Sequence, residues 1–464
     1  MFRTIGDGPS AWELLLPPEV LRLPEELARV DALLDDPAFF APFAPHFHPL
    51  IGRPSTPVEC YLRLMFLKFR YRLGYESLCA EVADSISWRR FCRIPLDGRV
   101  PHPTTLMKLS TRCGEDAVAG LNQELWAKAA GVKLLRTARV RADTTVISAN
   151  VAYPTDSGLL AKAVGKLVRT ARRVQAAGGA PATTMTDRRR AAARRAREIA
   201  GKLRGRSKLG REETTQAIAR VTGQLADLAG KTAAQAAAVL RNGRRAVPKA
   251  LSGRMRGRLR RALDELAVTI ERTSTIITQT RIRLAGQTPE SATRLVSLHD
   301  PDARPIRKGR IDRPVEFGYK AQVTDNDDGI ILDYAVEYGA APDGPQLAPA
   351  IERVSRRAGR VPRAVTADRG YGQAAVERDL QELGVRSVAI PRQGKTSTAR
   401  KKLEHSRGFH QLVKWRTGSE GRISYLKRGY GWDRTRLDGR DGAAIWCGHG
   451  VFAHNLAKIA TLAS

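Results

Sequence analysis

The stretch Lys133–Tyr153, KLLRTARVRADTTVISANVAY, changes the period of the chain. Upstream of it, apolar residues recur at helical spacing. Within it they alternate, and Val, Thr and Ile predominate, so it reads as a β-strand. Asp143 sits inside that strand, flanked by Ala142, Thr144 and Thr145. An Asp within a strand is disfavoured, and burial makes it costly unless it is paired or metal-bound. The plain alternative is a surface position on an edge strand. Asp143 is therefore the first candidate functional residue, and its weight depends on what surrounds this strand.

Before the strand, residues 58–132 read as wholly helical. VECYLRLMFLKFRYRLG carries Leu62, Met65, Phe66 and Phe69 at amphipathic spacing and runs out at Gly74. YESLCAEVADS and ISWRRFCRI follow as short helices, and Thr104 in PHPTTLMKLSTRCG is the expected N-cap of another. Short helices with basic and aromatic residues between them resemble a helix-turn-helix bundle. A packing or dimerisation domain is the alternative. Residues 1–57, with Pro17-Pro18, read as a loosely helical lead-in.

After the strand the composition changes again. Residues 155–295 are rich in Ala, Arg, Leu and Gly and lack aromatic side chains. Between 161 and 294 there are 31 Lys or Arg against 9 Asp or Glu, a surplus of +22 out of +32 for the chain. The pattern predicts long antiparallel helices, interrupted at Gly178-Gly179 and Gly253. So dense a positive field repels itself without a polyanion, which favours phosphate-backbone contact over a merely solvated face.

From residue 296 the pattern is α/β. RLVSLHD, EFGYKAQVTDN and GIILDYAVEYG read as strands, with Asp327-Asp328-Gly329 turning between the last two. PQLAPAIERVSRRAG then reads as a helix, RAVTAD as a strand, GQAAVERDLQELG as a helix and RSVAIPR as a strand. A helix over about 408–430 and a closing apolar helix follow. The expected fold class is α/β: an RNase H-like catalytic core over 133–154 and 296–464, an N-terminal helical domain, and a basic helical insertion.

Two more carboxylates stand out on this frame. Asp368 ends the RAVTAD strand, and carboxyl ends of strands are where α/β sheets place their sites. Glu420 lies in WRTGSEGRISYLKRGYGWDR, residues 415–434. Arg416 is four residues before it and Lys427 seven after it, so all three share one face of a single helix. Taken alone, Asp368 reads as a turn residue and Glu420 as a surface one. Three carboxylates with basic neighbours suit two divalent ions about 3.5–4 Å apart, which activate a hydroxyl nucleophile and stabilise a leaving oxygen. Hard cations take oxygen ligands, and no His falls in a metal-ligand spacing.

Composition agrees with such a partner. A sequence pI near 10.7 points to nucleic acid. No long uncharged apolar run argues for a membrane, and MFRTIGDGPSAWELLLPPEV lacks the features of a signal peptide. A cytoplasmic, nucleoid-associated protein is expected. Five Cys without a C-x2-C pair read as buried free thiols.

These motifs resemble those of bacterial insertion-sequence transposases of the DDE class, and in particular the group with a Tyr-Arg-Glu-Lys signature, Y-x2-R-x3-E-x6-K. Arg416, Glu420 and Lys427 match it, whereas Val413 stands where the Tyr belongs. The resemblance extends to ADRGYG, IPRQGK and the helical block at 58–113. It implies Asp143, Asp368 and Glu420 as catalytic metal ligands for two Mg2+ or Mn2+ ions. Arg416 and Lys427 would grip DNA phosphates, with Trp415 as a candidate for the phosphate grip that Val413 cannot make. It further implies binding of the element's terminal inverted repeats, chiefly through 58–132, cleavage there, and joining of a 3′-hydroxyl to target DNA. The partners implied are double-stranded DNA, both element ends and target, and a second copy of the chain in a synaptic complex. A nuclease on the same fold, which cuts without joining, and a non-enzymatic nucleic-acid-binding derivative are the rival readings.

Overall fold

The expected strand forms as β1 (Arg139–Ser148) and is buried on both faces along most of its length, as befits a strand inside a sheet covered on both sides. The computed structural model describes residues 1–6, 8, 12–204, 210–247, 252–307 and 314–463. Parts of the basic insertion, 205–209 and 248–251, lie outside the described residues. The chain divides into two compact units, Met1–Asn150 with Tyr319–Ser464, and Val151–Gly318.

In the first unit, α1 (Pro18–Leu21), α2 (Glu25–Leu34), α3 (Val58–Arg70), α4 (Tyr75–Asp84), α5 (Ile86–Phe91) and α6 (Pro103–Gly131) precede β1. Helix α3 is buried around its whole circumference except at Arg70. Two of its charges are therefore inside. Arg63 is neutralised by Asp31 and Asp35, each 2.6 Å away. Lys68 pairs with no carboxylate among the described residues; its ammonium lies over the rings of Trp446, Phe69 and Tyr75 at 3.8, 4.4 and 4.7 Å. Cation–π attraction offsets part of the burial cost, yet burial pushes the Lys68 ammonium down to about 7. Helix α6 is capped by His102, which accepts from the Thr104 amide, so the N-cap lies two residues before the one expected.

The second unit is built on α7 (Asp156–Ala176), α8 (Arg189–Arg204), α9 (Arg211–Ala246) and α10 (Gly253–Leu284). Alanines such as Ala163, Ala171, Ala226 and Ala236 line the seams, with Leu, Val and Ile filling between them. RLVSLHD, read as a strand, is irregular here. Its backbone is satisfied by side chains of α10: Gln279 bonds both the amide and the carbonyl of Leu295, and Arg272 donates to the Leu298 carbonyl. Alternation in that segment reflects burial of Leu295 and Leu298 against helices. The strand of this region is instead β2 (Arg304–Arg307), antiparallel to the first residues of β3 (Val315–Asp325).

The rest of β3 returns to the first unit and turns at Gly329, whose φ of +78° suits a residue without Cβ, into β4 (Ile331–Glu337). Then come α11 (Gly344–Ala358), β5 (Ala364–Ala367), α12 (Ala374–Glu382), β6 (Ser387–Ala389), α13 (Thr398–Glu404), α14 (Arg407–Arg416), α15 (Gly418–Gly429) and α16 (Gly439–Leu462). The mixed sheet of this unit runs β4-β3-β1-β5-β6. β1 and β5 are parallel and paired from Arg139↔Ala364 to Ala142↔Ala367, so Asp143 and Asp368 follow at the same level of neighbouring strands. Helix α16 is buried along most of its length. It ties the N-terminal helices to the sheet: Asn122 donates to the Gly448 carbonyl, and Asn455 bonds both backbone groups of Ile331. The protein is thus mixed α/β, mostly helical, around one mixed sheet.

Candidate active site

Asp143 points into a nearly closed corner, with 8% of its surface exposed. Its Oδ1 accepts from the Thr144 amide at 2.8 Å. Burial, then the neighbouring Asp368 carboxylate, pushes the Asp143 carboxyl up to about 6, against the pull of the Thr144 amide and of Arg416. Asp368 caps the tight turn Arg369–Tyr371, accepting from the Gly370 amide at 2.8 Å. Burial, and then the carboxylate of Asp343, raise its carboxyl too. Two acids in one corner disfavour each other's ionisation. The corner is short of positive charge.

Arg416 supplies part of that charge. Its Nη1 lies 3.4 Å from Asp143 Oδ2 and its Nη2 3.2 Å from Glu420 Oε1. One guanidinium therefore bridges the strand carboxylate and the helix carboxylate. The segment carrying it is two helices rather than the single one expected. Arg141 causes the break: it donates to the Trp415 carbonyl at 2.8 Å and makes a paired contact with Asp325, 2.9 Å at each oxygen. Its guanidinium packs where a Cβ on Gly418 would come to 2.2 Å, so a side chain at the start of α15 would have to move Arg141. The i, i+4 pair Arg416–Glu420 survives across the joint.

Glu420 is the outlying acid, with 68% of its side chain exposed. Among the described residues no three His, Cys, Asp or Glu side chains stand close enough together to hold a metal ion. Lys427 faces β1 and donates to the Val146 carbonyl at 2.8 Å. Trp415 lies beneath the guanidinium groups of Arg139 and Arg141, at 5.2 and 4.7 Å.

Three residues of this corner escape a sequence reading. Asp343 precedes α11, in an Asp-Gly-Pro that resembles an ordinary turn, and pairs with Lys320 at 2.7 Å. Tyr371 is fully buried; its hydroxyl lies beside the Thr144 side chain with no partner at full hydrogen-bond geometry among the described residues, and Asp343, Asp143 and Asp368 all act on it electrostatically. The one signal available was ADRGYG itself. Gly370 lets Asp368 and Asp343 approach over its backbone, and Gly372 lies against the next loop, where a Cβ would be 2.0 Å from the Pro391 carbonyl oxygen.

Known protein families share both halves of this layout. Residues 19–112 match the family model for a transposase domain (DUF772), and residues 280–456 match the family model for a transposase DDE domain. The second match contains Asp368, Arg416, Glu420 and Lys427; Asp143 falls between the two matched segments. An uncharacterized protein, ORF8 in the nfe locus of Rhizobium meliloti, is 28% identical over 162 residues, 32% of this chain and 74% of that protein. No solved structure matches the chain. With a transposase domain followed by a transposase DDE domain, the chain belongs to the DDE transposases of insertion sequences and is a DNA transposase.

Proposed function

We propose that this transposase binds the terminal inverted repeats of its element, cuts the DNA there and joins the freed 3′-hydroxyl to target DNA, using Asp143, Asp368 and Glu420. The observation that carries the reading is the corner itself. Two strand carboxylates hold each other's charge back, and the guanidinium of Arg416 spans one of them and Glu420.

The donor set fits a hard divalent ion. It is all oxygen, in part buried, and electrostatically under-neutralised. Asp143, Asp368 and Glu420 would hold Mg2+ or Mn2+, two per site, which when bound activates the attacking oxygen and stabilises the leaving one. For Glu420 to join the other two, Arg416 must release it, and a DNA phosphate is the natural new partner for that guanidinium. Burial and the Asp368 carboxylate push the Asp143 carboxyl up to about 6, which still leaves it largely ionised at neutral pH for a cation to pair with. Lys427, seated on β1, sets the distance of α15 from the strand and offers the rest of its charge to the backbone of the DNA end.

The Arg-x3-Glu-x6-Lys spacing supports membership of the Tyr-Arg-Glu-Lys group, and the core order β4-β3-β1-β5-β6 supports an RNase H-like catalytic fold. We assign repeat binding to 58–132, sequence-independent backbone contact to 155–295, catalysis to 133–154 and 296–464, and a lead-in role to 1–57. Cutting both ends together calls for a homodimeric synaptic complex on nucleoid DNA. Among the described residues no helix is long and apolar enough to cross a membrane.

Labelled element-end DNA incubated with the protein, Mg2+ and a target plasmid tests the reading. Joined products that vanish with Asp143→Asn, while end binding persists, are the expected result. Cut ends without joining would make the protein a nuclease, and neither product would leave a DNA-binding protein.

A further inference from the structure

Asp343 belongs to neither the strand pair nor the helix that carry the three assigned acids, yet it faces the same space. A Cβ built on Gly370 would stand 2.8 Å from Asp368 Oδ1 and 3.1 Å from Asp343 Oδ2. The two carboxylates thus both stand over the same backbone atom. They come from different elements, the end of β5 and the loop before α11. Asp343 is not spent on capping that helix, because its side chain accepts no bond from the first turn.

Tyr371 is an independent sign. Its ring is fully buried, and its hydroxyl lies beside the Thr144 side chain with no partner at full hydrogen-bond geometry among the described residues. The carboxylates that act on it are Asp343, Asp143 and Asp368. A buried hydroxyl left unpaired in a native fold calls for an explanation. Lys320 completes the picture. Its Nζ is 2.7 Å from Asp343 Oδ1 and donates to the Ala341 carbonyl at 2.8 Å. As Arg416 does for Asp143 and Glu420, Lys320 gives Asp343 a positive partner.

We propose that Asp343 is a fourth carboxylate of the divalent-cation site, shared with Asp368 across Gly370 and facing the Tyr371 hydroxyl. This rests on the metal-dependent reading above. It makes Gly370 a requirement of the site, since any side chain there would part the two acids. Lys320 is a positioning residue that holds the loop carboxylate in place without touching substrate.

Mn2+ binding to the full-length protein, followed by electron paramagnetic resonance, tests it without reference to activity. Asp343→Asn is expected to weaken Mn2+ binding tenfold or more, or to remove one ion per chain, with an unchanged melting temperature. Lys320→Met is expected to keep Mn2+ binding within a few-fold of wild type. On the unaltered protein, Fe2+ with ascorbate should cleave the backbone near 343 as well as near 368. Wild-type Mn2+ affinity and stoichiometry in Asp343→Asn would overturn the proposal and leave the transposase reading intact. So would backbone cleavage near 368 alone. Absence of any Mn2+ binding by the wild-type protein would overturn the metal-dependent reading, and this proposal with it.

Discussion

At the scale of single residues, Asp143 is a carboxylate kept where it is least comfortable. Its native carboxyl titrates near 6, above the ordinary 3.8. Between those values the native state binds more proton than the unfolded chain, so stability falls as pH rises through that window, and the cost persists above it. Asp143→Asn removes the cost. In chelator at pH 7 the variant should be more stable than wild type by about 1–3 kcal/mol, with the gap closing toward pH 4. Denaturant unfolding at both pH values checks this; a variant no more stable at pH 7 would mean that the carboxylate is already well neutralised. Arg416→Lys should lower strand cleavage at least tenfold while moving the melting temperature little, because an ammonium cannot bridge two acids or a phosphate as a guanidinium does. Wild-type cleavage in that variant would reduce the spacing match to coincidence. Asp143, Asp368 and Glu420 were legible as candidates because strand pattern, motif order and basicity all point to them. Asp343 was not, since nothing local separates a site carboxylate from a turn Asp before Gly-Pro. Nor does a sequence show that Lys427 is bonded to the Val146 carbonyl.

At the scale of elements, helical spacing located α3 but not its surroundings. Leu62, Met65, Phe66 and Phe69 mark one face; Arg63 and Lys68 look like the solvated one and are buried instead. Helix α3 also packs against α2 and against α16, which lies at the other end of the sequence. Lys68 titrates near 7 in the native state against 10.5 ordinarily. The unfolded chain therefore binds more proton between those values, and stability should rise with pH from about 7 to about 10. Lys68→Met should flatten that rise, as unfolding free energies across the range will show; an equal rise in both proteins would trace it to other groups. The joint between α14 and α15 offers a second test. Gly418→Ala places a methyl 2.2 Å from Arg141 Nη1 and must displace Arg141 from Trp415 and Asp325. A loss of about 1–3 kcal/mol is expected from those buried charge-assisted bonds, measured by thermal unfolding. A neutral result would show that Arg141 has another resting place. The sequence suggested one helix there because Thr417 and Gly418 break nothing by themselves; the break comes from a strand residue.

At the scale of the whole molecule, charge and connectivity matter more than any contact. The exposed Arg190, Arg194 and Arg197 stand on one surface helix, α8. Replacing all three with Gln, which keeps helix propensity, should weaken binding to every DNA sequence alike. It should also reduce the slope of log affinity against log salt by up to about 0.9 for each phosphate no longer neutralised. An unchanged slope would take the insertion out of backbone contact and favour a protein partner. The β3–β4 hairpin and the alternating helices and strands that follow were legible from period, whereas β2 was not. The tie between the N-terminal helices and α16 was not, because buried Asn and Trp hydrogen bonds leave no periodic trace. The sheet order also sets the timing of assembly. Arg139 pairs with Ala364, 225 positions further along. At about 5–20 residues per second, a ribosome that has finished β1 needs roughly ten seconds to three-quarters of a minute to deliver β5. During that interval the helical block is already made and the basic insertion is being added, while Asp143 still lacks the neighbouring strand β5. A chain cut short in that interval would lack both the strand that completes the corner around Asp143 and the closing helix α16 that packs on α3 and α6.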